Sequence, residues 1–268
     1  MPSYICTVCG VGYAETDGPR ETCLICADDR QYPNPHGQGW TTLEELAEDH
    51  VNELRQLEPG LTGLGSRPQI AIGQRALVIE RPTGGVMWDC TPLVTEAAVA
   101  ALTARGGIAA IAVSHPHFHA TMIDWSRALG GVPVLLHEDN RDWVMRPDPA
   151  ITFWSGETRE VMPGITLIRT GGHFPGSTVL HWAEGAEGRG ALLTGDSIMV
   201  VPDTRWVSFM YSYPNLIPVN AATVERIVRA VKPFAFDRLY AGWWDRVLDG
   251  DAKAAVRRSA DRYIAAIR

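Results

Sequence analysis

The run Ile108-Ala109-Ala110-Ile111-Ala112-Val113-Ser114 leads without a break into His115-Pro116-His117-Phe118-His119. The first seven residues read as a strand apolar on both faces, the pattern of a strand buried inside a sheet. The next five place three imidazoles on the loop at its end, where layered αβ folds carry their functional side chains. His115 and His117 are two residues apart, so an extended loop points both rings at one ion. Later, Gly171-Gly172-His173-Phe174-Pro175-Gly176-Ser177 sets another histidine on a Gly/Pro-rich turn after the expected strand 165–169. Leu192-Leu193-Thr194-Gly195-Asp196-Ser197 then places a carboxylate at a strand end. Three imidazoles (His115, His117, His173) and the Asp196 carboxylate are a donor set suited to zinc or iron. The alternative is a separately satisfied role for each histidine, but several at consecutive strand ends argue for a shared centre.

A second donor set lies near the N-terminus. Cys6-Thr7-Val8-Cys9 and Cys23-Leu24-Ile25-Cys26 are two Cys-x-x-Cys pairs, and Gly10 directly after Cys9 supplies the tight turn that such a pair prefers. Each pair can wrap one edge of a tetrahedral ion, which predicts a closed structural zinc at Cys6, Cys9, Cys23 and Cys26. A segment this short buries too little apolar surface to fold alone, so the metal supplies its folding energy. A rubredoxin-type iron site is the alternative metal, and a disulfide or redox pair is disfavoured because nothing suggests export or a thioredoxin-like βαβ unit. Cys90 ends an expected core strand and reads as a small buried hydrophobe.

Between these landmarks the order is mixed αβ. Residues 32–37 read as a turn or linker, and Thr42 with Glu45 forms a capping box. Leu43, Leu46, Val51, Leu54 and Leu57 then give one helical face, ended by Gly60, Gly63 and Gly65. Strands are expected at 69–72, 76–80 and 86–89, a helix at 95–104, the strand 108–114, a helix at 120–129 and a strand at 133–137. Several strands fill 151–193, and helices close the chain at 220–231 and 251–268. The organisation expected is a cysteine knuckle with linker over 1–38 and a main domain over 39–268, with 39–67 a leading helix and connection.

Composition narrows the function classes. The 268 residues carry 24 Lys+Arg against 31 Asp+Glu, a net charge of −7, and 46% are hydrophobic. That acidity opposes broad nucleic-acid binding, which needs a basic face. The N-terminal residues lack the basic and apolar regions of a signal peptide, and no apolar run approaches a membrane span. A cytoplasmic protein with a small-molecule substrate, and with neither nucleic-acid nor membrane partner, is expected.

In the order and spacing of its motifs the chain resembles the metallo-β-lactamase superfamily from about Gln69 to Tyr240. Its first landmark, a strand ending in Asp after a Gly turn, matches Gly84-Gly85-Val86-Met87-Trp88-Asp89. The His-x-His-x-Asp-His loop matches His115 to Ala120, the third-His motif matches His173-x-Pro175-Gly176-Ser177, and the later carboxylate matches Asp196. The resemblance implies an α/β fold, a four-layer αββα sandwich, to which the cysteine knuckle is an addition. It also implies that Asp89 orients a ligand or the loop and that Asp196 ligates the metal or accepts from water on it. The departures concern the second metal position: the loop Asp is His119, the next His is Ala120, and no His occurs near Tyr240-Ala241-Gly242-Trp243-Trp244. One catalytic metal is therefore expected, zinc ahead of iron, with a second ion helped by His119 as the alternative.

The chemistry that follows is hydrolysis of an ester, lactone, thioester or amide by water activated on the metal. His119 is expected to serve as proton shuttle, since an imidazole is able to titrate near neutrality. Two alternatives stand beside it. His115, His173 and Asp196 alone form the two-His, one-carboxylate set of non-haem iron, and the superfamily includes dioxygenases acting on sulfur substrates. A non-catalytic zinc-knuckle binding protein is the other. Nine tryptophans and the aromatic run 206–213 suggest Trp206, Tyr211, Tyr213 and Trp243 as a pocket wall, core packing being at least as good a reading. Exposure of that run would make a homodimer plausible.

Overall fold

The computed structural model describes residues 1–33 and 37–268, which divide into two compact units. The first comprises Met1–Leu136 and Arg141–Phe153; the second comprises His137–Asn140 and Trp154–Arg268.

A seven-stranded sheet whose spatial order follows the chain forms the body of the first unit. Its strands are β1 (Val51–Glu58), β2 (Leu61–Arg67), β3 (Ala76–Ile79), β4 (Gly85–Trp88), β5 (Ile108–Ala112), β6 (Val134–His137) and β7 (Ile151–Trp154). β1 to β4 pair antiparallel, whereas β4–β5 and β5–β6 are parallel. Parallel neighbours need crossover connections. Helix α2 (Glu96–Ala104) joins β4 to β5, and α3 (Met122–Ala128) joins β5 to β6. With parallel partners on both sides, β5 has Ile108, Ala110, Ile111 and Ala112 buried as its apolar run predicts, while Ala109 near its start is exposed. The three histidines therefore leave the sheet from an interior strand.

Helix α1 (Leu43–Asp49) begins as predicted: the Thr42 side chain accepts from the Glu45 backbone and Glu45 returns the bond. It ends earlier than the leucine spacing suggests. His50 is extended, and 51–67 is the hairpin β1–β2 instead of further helix and connection. Leu54 pairs with Leu64 across that hairpin, and the turn at Gly60 (φ +81°) closes it. Apolar residues three or four apart fit a helix, but strand pairing supplies backbone bonds to a whole segment and overrides the weak propensity signal. The strand expected at 69–72 is likewise a turn, with Ala71 (φ +52°) and Gly73 (φ +72°) in the left-handed region. Of the turn expected over 32–37, residues 34–36 lie outside the described residues.

In the second unit, a six-stranded sheet runs β8 (Thr158–Met162), β9 (Ile165–Arg169), β10 (Thr178–Trp182), β11 (Ala191–Leu193), β12 (Arg238–Tyr240) and β13 (Val247–Asp249). The pair β11–β12 is parallel and is joined through α4 (Ala221–Val231), which Asn220 caps by accepting from Thr223 N–H. α4 buries Val224, Ile227, Val228 and Val231, one face at helical spacing. Each such side chain stabilises the unit by about 1.5–3 kcal/mol. The last helix, α5 (Ala252–Ala266), adds Ala255, Val256, Ala260 and Ile264 to the same core. Ile267, at its end, is 38% exposed and stands off that face. Among the described residues no helix is long and apolar enough to cross a membrane.

Candidate metal centres

The four N-terminal cysteines come together as one cluster. One sulfur from each lies within 4.8 Å of all the others, and none is disulfide-bonded. Cys6 Sγ is 3.7 Å from Cys26 Sγ, and Cys9 Sγ is 3.7 Å from Cys23 Sγ. A tetrahedron with metal–sulfur bonds of about 2.3 Å has edges of about 3.8 Å. A disulfide would need about 2.05 Å. The spacing is thus that of a tetrahedral tetrathiolate site. Gly10 adopts φ +79° and donates to the Cys6 carbonyl at 2.8 Å, closing the predicted knuckle turn.

Polar groups around the sulfurs favour thiolate. The Tyr13 hydroxyl donates to Cys23 Sγ at 3.3 Å and accepts from Leu24 N–H at 2.8 Å. Gln38 donates to Cys6 Sγ at 3.2 Å while its oxygen accepts from Cys23 N–H. Hydrogen bonds from neighbouring thiols, Cys23 first, push Cys6 far below the ordinary thiol range. Cys9 is pushed up by burial. Four sulfurs that cannot all ionise together without a cation are suited to a dication. Tyr13 and Gln38 escaped the sequence reading, because nothing in their spacing distinguishes them from other loop residues.

On the other donor-bearing loop of the first unit, the backbone differs from expectation. His115 is extended, and Pro116–Phe118 form a 3₁₀ turn instead of an extended run. His115 and His117 still come together, their ring centroids 5.1 Å apart at 71°. Both are buried, at 1% and 2% exposure. The Ser114 hydroxyl lies 2.8 Å from His115 Nδ1, and Asp89 Oδ1 accepts from Ser114 N–H at 2.7 Å. Asp89 itself sits at φ +62°, directly after β4. The landmark aspartate therefore holds the residue preceding the first histidine, and Ser114 is a contact the sequence reading missed.

His119, also buried, is pushed down to about 3, chiefly by burial and then by the neighbouring His115, with the Trp143 backbone carbonyl opposing. That direction runs against the near-neutral titration expected of a proton shuttle.

In the second unit His173 and Asp196 face each other. His173 Nδ1 is 2.8 Å from the Tyr211 carbonyl oxygen and 3.3 Å from that of Met210. A carbonyl only accepts, so Nδ1 carries the proton, and in the neutral ring Nε2 presents its lone pair. That lone pair looks toward Asp196 Oδ2 at 3.7 Å. Two acceptors aimed at each other across a gap too long for a hydrogen bond are the arrangement a shared cation reconciles. Tyr213 supports both: its hydroxyl donates to the Asp196 carbonyl at 2.9 Å, and its ring lies 5.8 Å from the His173 ring. Of the expected aromatic wall, Tyr211 and Tyr213 therefore adjoin this pair. Trp206 lies under Arg262, whose guanidinium carbon is 3.6 Å from its ring centre, and Trp243 is half-buried in the turn after β12.

No family model matches the chain. YmaE of Bacillus subtilis (strain 168), described as uncharacterized, is 48% identical over 269 residues, covering 100% of this chain and 97% of YmaE. Among solved structures, VMB-1 matches 81% of this chain and 98% of its own at a TM-score of 0.60 and 18% identity. The metallo-β-lactamase DIM-1 matches 80% and 98% at 0.61 and 14%. FIM-1 of Pseudomonas aeruginosa, a metallo-β-lactamase solved in its mono-zinc form, matches 79% and 95% at 0.58 and 14%. At these identities the likeness concerns the fold.

Proposed function

Since this chain belongs to one family with YmaE and has the metallo-β-lactamase fold, we propose that it is a metal-dependent hydrolase with one zinc held by His115, His117, His173 and Asp196. The observation that carries the reading is His173 Nε2 facing the Asp196 carboxylate, with Nδ1–H tied to a backbone carbonyl. The four donors are buried and of the type that binds zinc. FIM-1 in its mono-zinc form is a relative in fold that carries one zinc.

A zinc ion there supplies Lewis acidity at a carbonyl oxygen and a nucleophile at neutral pH. The chain's own groups keep the donors ready. Ser114, held by Asp89, orients the His115 ring, and the Tyr211 carbonyl fixes the His173 tautomer. Tyr213 fastens the backbone of Asp196. His119, standing where the resembled loop has an acid, adds no negative charge, which suits a mononuclear centre. The substrate class is an ester, lactone, thioester or amide of a small molecule.

Elemental analysis tests this on the native protein, on Cys6→Ser/Cys9→Ser, and on that variant with His173→Ala added. One zinc leaves with the cysteines, and a second stays until His173 is removed. A cysteine variant that retains no metal overturns the reading. Iron in place of the second zinc overturns it in favour of oxygen chemistry, read by oxygen uptake.

A further inference from the structure

The cysteine knuckle does not hang from the first unit by its linker; its contacts fall on the segments flanking the His115–His119 turn. Gly12 N–H donates to the Ala120 carbonyl at 2.9 Å. Ala120 follows His119 and sits at φ +43°, a left-handed conformation that an alanine holds only under restraint. Gly10 packs so closely on Pro92 that a Cβ there would collide with Pro92 Cγ. Adjacent to Pro92, the Thr91 carbonyl accepts from Thr121 and from the Trp125 indole, both at 3.0 Å. On the far side, Arg146 bonds both Asp124 oxygens, at 2.9 and 2.8 Å, together with Ser3 Oγ at 3.0 Å. Trp143 and Met145 pack against the cysteine cluster itself.

A cavity of only about 10 Å³, room for about one water, lies among Val11, Gly12, His119, Ala120, Met145 and Arg146. The knuckle and the turn thus meet with almost no slack. An independent docking module would instead be joined by a linker that few contacts cross.

We propose that the four-cysteine knuckle is a positioning device for the His115–His119 turn, clamping Ala120 and the start of α3 so that loosening the knuckle loosens the histidine loop. This rests on the reading that the loop serves a metal centre, but its test reads backbone order and not hydrolysis. The positioning groups are the Gly12 amide, which restrains Ala120 directly, and Arg146, which ties Ser3 of the knuckle to Asp124 of α3. A zinc-stabilised knuckle holds 9–13 rigid, and that rigidity is what the Gly12–Ala120 bond transmits.

The test is hydrogen exchange on the full-length, metal-replete protein. In Cys9→Ser/Cys23→Ser, amides of 115–124 should exchange about tenfold faster, while 178–193 of the second unit's sheet stay unchanged. Arg146→Gln keeps the four thiols and their metal, and should raise exchange in the same segment by about threefold. Unchanged exchange at 115–124 in a cysteine variant that has lost the knuckle metal overturns the proposal. An equal rise at 178–193 in both variants also overturns it, since the effect is then global. Should the cysteine variant fail to fold, Arg146→Gln decides alone, and unchanged exchange there is a refutation. Repeated on a His173→Ala background, the loosening must persist. A rise that needs His173 overturns the knuckle's role and assigns the effect to the metal at the His/Asp donors.

Discussion

Replacing Asp89 should weaken the protein in two separable steps. Its carboxylate is buried at 1% exposure and accepts the Ser114 amide at 2.7 Å, a charge-assisted bond. Losing it, with the amide left buried, costs about 1.5–3 kcal/mol. The backbone at φ +62° adds a further cost for alanine of about 1–2 kcal/mol, because aspartate and asparagine tolerate this region better. Asp89→Ala should therefore destabilise by about 2.5–5 kcal/mol. Asp89→Asn keeps an oxygen acceptor and the tolerant backbone, and should lose only about 1 kcal/mol. At about 2–4 °C per kcal/mol for a chain of this size, the alanine variant melts roughly 10 °C lower and the asparagine variant about 3 °C lower. Scanning calorimetry of both variants, with metal content measured in parallel, checks the ordering. Equal melting temperatures for the two would refute the assignment of strain and hydrogen bond to this position.

Gly10→Ala should cost about 2–5 kcal/mol, from the left-handed backbone and the collision with Pro92, while Gly18→Ala, with nothing within 4 Å, should be neutral in urea unfolding. Tyr13→Phe removes the donor to Cys23 and should weaken metal affinity of the knuckle by about tenfold, measured by competition with a chelator. His181 is pushed below its ordinary 6.5 by burial first, with the Ala235 carbonyl opposing. The unfolded chain then binds a proton that the folded chain refuses, so its stability contribution is full above 6.5 and declines as pH falls from there toward the folded value. Urea midpoints at about pH 7.5 and about pH 5 should differ more in the native protein than in His181→Gln, and equal differences would refute the assignment.

Sequence alone named the candidate donors and determined most element boundaries. Cys-x-x-Cys pairs, the Gly10 turn and the Thr42 capping box are local patterns, and the bonds that make them span only a few residues. The buried run before His115 was legible for the same reason: a strand with parallel neighbours on both sides has no solvent face to mark with polar residues. Where a pattern served two structures, the sequence misled. The leucines after Asp49 suit a helix as well as a strand, and only pairing with 61–67 decides between them. Tertiary structure alone decided that burial pushes His119 down, that His173 Nε2 looks toward Asp196, and that Gly12 bonds the Ala120 carbonyl. Those properties depend on burial, on which backbone carbonyl a ring nitrogen meets, and on contacts between segments over a hundred residues apart in the chain for Gly12 and Ala120. A sequence names the donors; the packing around them sets their charge, tautomer and aim.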